Sequence, residues 1–291
     1  MTPAAISNLD RRFRLGEQLR VVERGGHGFV AIATPDCVAE IALQGAQVLH
    51  WRPQGQADVL WCAPLPPAGS GKAIRGGIPV CWPWFGPHAT DATQPQHGLV
   101  RTANWTLVET AVTVAGARAV FELESWNCVI RLALEAGRTL SVALSTRNIG
   151  ATPVIITEAL HTYFRVGDVN SISIAGLDGH HYRDNTDGGR EKCQYGDCRI
   201  AGETIALFDA APDVCNIDDP LFGRRIAIRR DGGQSTVIWN PGAAAVKISD
   251  LPAGEQQHFV CIESGNVGAA AVTVMPGTTH QLAATYELEG Y

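Results

Sequence analysis

The sequence reads as an all-β protein, a large antiparallel β-sandwich forming one domain over residues 1–291. Two observations carry that expectation. Apolar and polar residues alternate in run after run along the chain. Glycine, at 31 positions, and proline, at 16, punctuate the gaps and leave few windows long enough for a helix of ordinary length. No composition shift, linker or fixed-period repeat marks a second domain.

The runs can be followed in order. Phe121 and Leu123 alternate with Glu122 and Glu124, and Ile130, Leu132 and Leu134 with Arg131, Ala133 and Glu135. Leu140, Val142 and Leu144 follow after an Ala136-Gly137-Arg138 break. Later come Ile172 and Ile174, Ile226 and Ile228, Val272 and Val274, and Leu282 to Leu288 in steps of two. A period of two places such side chains on one face of a strand. Between the runs stand Asn148-Ile149-Gly150, Asp231-Gly232-Gly233, Asn240-Pro241-Gly242 and Met275-Pro276-Gly277. Glycine supplies positive φ and proline presets φ, so these are turn signals. Two stretches break the strand pattern: 62–99, rich in proline, glycine and aromatics, and 178–220, polar and turn-rich. Long irregular segments of this kind are often functional loops.

Composition excludes several classes. The net charge is −6, only 18% of residues are charged, and no Lys/Arg-rich run occurs, which argues against a nucleic-acid partner. No apolar stretch approaches the roughly 20 residues of a membrane span. Asp10, Arg11 and Arg12 interrupt the N-terminus before an apolar signal core forms, so a cytoplasmic protein is expected. Eight cysteines without a C-x-x-C pair read as free buried thiols, with no metal site.

Several familiar motifs fail. Gly69-Ser70-Gly71-Lys72 lacks the leading glycine of a P-loop, because position 66 is Pro, and lacks the hydroxyl after the lysine, because position 73 is Ala. Asp184 to Gly189 has the composition of a calcium loop but the wrong spacing, with Tyr195 where the bidentate glutamate belongs. Ser264 has Ile262 where a nucleophile elbow needs glycine.

Four features remain. Arg75 precedes Gly76-Gly77, so it can reach into a cleft that its neighbours do not fill. His97 and Arg101 stand four apart beyond the aromatic loop. His161 lies in an apolar and aromatic stretch, where burial and neighbours shift an imidazole pKa. Glu263 directly follows an apolar strand-like run, and an ionised carboxylate is costly to bury unless paired. Taken singly, each has a structural explanation: a surface arginine, a polar cluster, a satisfied core histidine, a solvent-facing glutamate.

Taken together, the runs I-R-G-G-I-P-V-C-W-P-W-F-G from Ile74, P-Q-H-G-L-V-R from Pro95, L-H-T-Y-F-R-V-G-D from Leu160, V-I-W-N-P from Val237 and F-V-C-I-E-S-G-N-V from Phe259 resemble the D-hexose-6-phosphate mutarotases. These form the glucose-6-phosphate 1-epimerase branch of the aldose 1-epimerase superfamily. The resemblance implies a galactose mutarotase-like supersandwich with sugar on its concave face. It implies an isomerase in which His161 is the general acid, Glu263 the general base, Arg75 and Arg101 the phosphate ligands, and His97 a sugar contact. It also implies a hexose phosphate as partner and no cofactor, and we expect a monomer.

The chemistry suits these residue types. Mutarotation removes a proton from O1, adds one to O5, opens the ring, turns C1–C2 and recloses. Acid and base each contribute about 10²–10⁴-fold. The acid should rest protonated and the base ionised, with pKa values on either side of the working pH. Arginine is permanently charged and binds phosphate bidentately. One departure concerns a family segment resembling Glu-Thr-Asp-Arg-Val-Tyr, whose Asp is taken to contact sugar hydroxyls. The matching stretch runs from Glu203 to Phe208 and carries Ile205 and Ala206 at the Asp and Arg positions. Asp209 would share the face of Ile205 if that strand is regular. Alternatives are an epimerase for another sugar, or a carbohydrate-binding protein with Trp82 and Trp84 stacked on the sugar.

Overall fold

Alternation becomes a stack of antiparallel sheets in the computed structural model, which describes residues 2–290. An eight-stranded back sheet runs Ser173–Ala175, Val214–Asp219, Arg224–Asp231, Thr279–Gly290, Thr139–Asn148, Cys128–Ala136, Gly116–Ser125, Thr106–Thr113. Its inward positions are those the period of two selects, including Ile130, Leu132, Leu134, Leu140, Val142 and Leu144, all at most 1% exposed. Burying each such side chain stabilises the fold by roughly 2 kcal/mol before entropy is counted.

A second eight-stranded sheet packs in front. Its order is Arg190–Cys193, His181–Asp184, Thr204–Asp209, Ser235–Asn240, Phe259–Asn266, Glu158–Leu160, Val80–Cys81, with Tyr163–Arg165 also pairing to Phe259–Asn266. Phe259–Asn266 is buried along its whole length. Val260 and Ile262 join the main core, while Phe259 and Cys261 turn the other way into a cluster with Trp61 and Tyr163. Between the sheets, Phe164 meets Tyr286 edge-on at 5.5 Å, and the Thr162 and Tyr286 hydroxyls lie 2.7 Å apart. A four-stranded meander (Leu19–Arg24, His27–Ala33, Cys37–Ala42, Gln47–Pro53) and a two-stranded ribbon (Val154–Ile156 with Val272–Val274) complete the β-structure.

Two expectations need correction. Pro3–Phe13 is a helix. Thr2 caps it, Pro3 opens it, Arg11 and Arg12 sit in its last turn, and Ile6 and Phe13, two turns apart, are buried. The Asp10 carboxylate accepts the Val21 amide at 2.8 Å and ties the helix to the first strand. The 178–220 stretch is not loop throughout but carries His181–Asp184, Arg190–Cys193, Thr204–Asp209 and Val214–Asp219. His181–Asp184 and Arg190–Cys193 form a hairpin at a sheet edge with no fully buried residue, so burial imposes no apolar alternation on them. No helix among the described residues is long and apolar enough to cross a membrane. Six of the eight cysteines are buried.

Candidate active site

Strand register brings the acid and base candidates together. Glu158 pairs with Asn266, Ala159 with Gly265 and Leu160 with Ser264. The next step sets His161 opposite Glu263, where the His161 Nε2 lies 3.4 Å from Glu263 Oε1. The row continues outward, since Glu263 pairs with Val237 and Val237 with Leu207. These side chains form the floor of a cavity of about 430 Å³. Arg75, His97, Arg101, His161 and Glu263, all five sequence candidates, line it.

Each is placed by its local chain. Arg75 is carried by a segment in which its own carbonyl accepts the Ala63 amide and the Gly77 amide donates to the Trp61 carbonyl. Gly77 has φ +63°, and a Cβ there would lie 2.0 Å from the Val48 carbonyl, so only glycine lets the segment run so close. His97 itself has φ +63°, uncommon outside glycine and a mark of local strain. Its Nδ1 accepts the Gly86 amide at 3.3 Å, which leaves Nε2–H as the donor. Arg101 donates Nη2–H to the Gln96 carbonyl at 2.7 Å.

The electrostatics are set by burial. His161 and Glu263 side chains are 10% and 2% exposed. Burial first, then the positive charges of Arg101 and Arg75, holds the His161 pKa well below the ordinary imidazole value. Burial drives the Glu263 carboxyl well above the ordinary carboxylate value. Desolvation penalises both charges and so works against the resting imidazolium and carboxylate expected from the sequence, while their 3.4 Å separation works for that pair. The ion pair and a carboxylic acid beside a neutral imidazole hold the same one proton. Burial followed by Arg101 and Arg75 brings His97 to about 3, so it is a neutral donor. His161 Nδ1 and Glu263 Oε2 are buried and make no hydrogen bond among the described residues. Each such atom costs about 1–3 kcal/mol, which a polar ligand would offset.

Residues outside the sequence candidates also matter. Tyr163 stacks on His161 at 5.0 Å and 13°, and Trp239 meets it edge-on at 5.9 Å. Both lie inside the quoted motifs, and Tyr163, two residues after His161, shares its face. Ile205 lines the cavity beside Leu207 and Val237, giving an apolar wall. The strand is regular, so Asp209 shares the face of Ile205, but it pairs with Arg183 at 3.0 Å and lies outside the cavity. Trp82 and Trp84 are not sugar platforms. Trp82 is fully buried and donates to Thr146, and Trp84 donates to the Pro95 carbonyl. Trp239 and Phe85 are the large aromatics of the cavity besides Tyr163.

Comparison with known proteins adds an independent line. The aldose 1-epimerase family model matches residues 29–287. A protein of Escherichia coli (strain K12) described as "Putative glucose-6-phosphate 1-epimerase" is 33% identical over 246 residues, covering 81% of this chain and 82% of its own. One of Cenchrus ciliaris with the same description is 28% identical, covering 83% of this chain and 78% of its own. The crystal structure of a "putative mutarotase (YeaD)" from Salmonella typhimurium superposes with a TM-score of 0.89 at 28% identity, over 96% of each chain.

Proposed function

Since the chain belongs to the aldose 1-epimerase family, we propose that it interconverts the α and β anomers of a hexose 6-phosphate, glucose 6-phosphate foremost. One observation carries the reading: an imidazole and a carboxyl 3.4 Å apart form the buried floor of a cavity whose wall includes two arginines.

Proton placement follows from the charges. The arginines help depress His161. A phosphate dianion between them cancels that field and adds its own negative potential, which favours the imidazolium. The one proton of the pair then rests on His161. Glu263 takes the O1 proton as His161 gives one to O5, and the C1–O5 bond opens. After rotation about C1–C2, the aldehyde oxygen recovers its proton, O5 returns one to His161, and the ring closes on the other face. Atoms, protons and electrons balance without a cofactor. His97 donates Nε2–H to a sugar oxygen. The substrate is a charged metabolite and the enzyme a single-domain monomer working in the cytoplasm.

The test is anomerisation of freshly dissolved α-glucose 6-phosphate, followed by NMR or by a β-specific dehydrogenase. Catalysis well above the spontaneous rate, undiminished by EDTA and lost in Glu263→Gln and His161→Ala, is the expected result. No acceleration on any hexose phosphate would overturn it. The apolar wall at Ile205 favours a second comparison, with mannose and galactose 6-phosphates, because no carboxylate reads ring hydroxyls from that side.

A further inference from the structure

Arg75 stands between two cavities. One is the catalytic cavity, and the other, of about 340 Å³, lies beside it and is lined by Lys72, Asp250 and several prolines. A long guanidinium side chain has room to turn either way. Two contacts decide its direction. Its Nε–H donates to Asp250 Oδ1 at 2.8 Å, and its Nη1 donates to the Tyr163 hydroxyl at 3.2 Å. Tyr163 is the ring stacked on His161, so a chain of contacts runs from Asp250 through the arginine to the catalytic imidazole. Asp250 is held in turn by its loop. Trp61 Nε1 donates to Glu255 Oε2 at 2.7 Å and the Asn240 amide to the Gln256 carbonyl at 2.8 Å, which pins the segment that follows.

We propose that Asp250 is a positioning residue for phosphate recognition: by engaging the Nε edge of Arg75, while the Tyr163 hydroxyl takes one hydrogen of Nη1, it fixes the guanidinium at the wall of the catalytic cavity with its remaining Nη hydrogens available to a phosphate. The inference rests on the reading that Arg75 meets the substrate phosphate. The opposing effect is that a carboxylate partly neutralises the arginine and competes with phosphate for it. Geometry decides between them. The Asp250 side chain is 47% exposed, so water screens its charge, whereas the arginine is 26% exposed and its orientation is what the contact fixes. Bidentate phosphate binding rewards a guanidinium that is already oriented.

The experiment compares wild type, Asp250→Ala, Asp250→Asn and Arg75→Ala on glucose 6-phosphate and on free glucose. Asp250→Ala should raise KM for the phosphosugar about tenfold, with the loss in KM rather than kcat, and should change kcat/KM for glucose far less. Asp250→Asn, which keeps an oxygen for Nε–H but not the charge, should fall between. An unchanged or lower KM in Asp250→Ala, while Arg75→Ala raises it, overturns the positioning role and makes Asp250 a bystander or competitor. If Arg75→Ala also leaves the phosphosugar KM unchanged, the phosphate reading of Arg75 itself fails. Equal losses on both substrates would make the contact structural and also overturn the proposal.

Discussion

At the scale of the residue, Glu263 shows a site working against the fold that holds it. Its carboxyl is buried and its pKa is raised by that burial. The unfolded carboxyl titrates near its ordinary value, so above that value the folded state retains a proton that the unfolded state has lost. Stability then falls as pH rises, until the folded pKa is passed. Glu263→Gln removes this penalty while keeping the shape. The variant should melt at a higher temperature than wild type, with the gap widening from pH 5 to pH 8, and should lose at least 10³-fold in anomerisation. Equal melting temperatures across that range would show that the carboxylate is well solvated. His161, Glu263 and the two arginines, which line one cavity, could be singled out in the sequence because they sit in short motifs that resemble a family. Asp250 could not, because it meets Arg75 from a loop 175 residues away in the chain with no local signal.

At the scale of the element, legibility follows burial. The back-sheet strands bury one face and show it as alternation, as in Cys128–Ala136 and Thr139–Asn148. Phe259–Asn266 is buried on both faces, so it reads as an apolar run in which Glu263 is conspicuous. The edge hairpin in 181–193 buries no residue fully and reads as loop. The helix Pro3–Phe13 was missed because its capping and spacing signals are short and lie in a glycine- and proline-rich chain. The register that sets His161 beside Glu263 was not legible at all, since only the pairing of Glu158–Leu160 with Phe259–Asn266 brings together residues far apart in sequence. The loop bearing His97 and Arg101 depends on one residue. Gly98 has φ +77°, and a Cβ there would lie 1.9 Å from the Trp82 carbonyl, which accepts the Leu99 amide at 2.9 Å. Gly98→Ala should cost upwards of 1 kcal/mol in stability and shift His97 and Arg101 together. Urea unfolding and phosphosugar KM would both register the change. An alanine variant with wild-type stability and KM would show that the loop relaxes freely.

For the whole molecule, the buried imidazoles set how stability responds to acid. His97 and His161 both have lowered pKa values, in each case chiefly through burial. On unfolding each returns to about 6.5, so below that pH the unfolded chain binds protons that the folded chain refuses. Their contribution to stability is complete above about pH 6.5 and is lost as pH falls, each proton changing the slope by about 1.4 kcal/mol per pH unit. Glu263 opposes one of these protons down to the ordinary carboxylate range, because there the folded state holds the extra one. The net is about one proton. Carboxylates held low, such as Asp184 at about 2, add their loss only below about pH 4. Acid destabilisation should therefore begin near pH 6.5, well above the carboxylate range. With its folded pKa at about 3, His97 alone accounts for about 2 kcal/mol between pH 8 and pH 5. Urea unfolding at constant ionic strength should show the midpoint falling through that interval in wild type and falling less in His97→Gln. A wild-type midpoint that stays level from pH 7 to pH 5 would mean that the imidazoles gain protons within the folded protein, and that the cavity admits charge more readily than its burial implies.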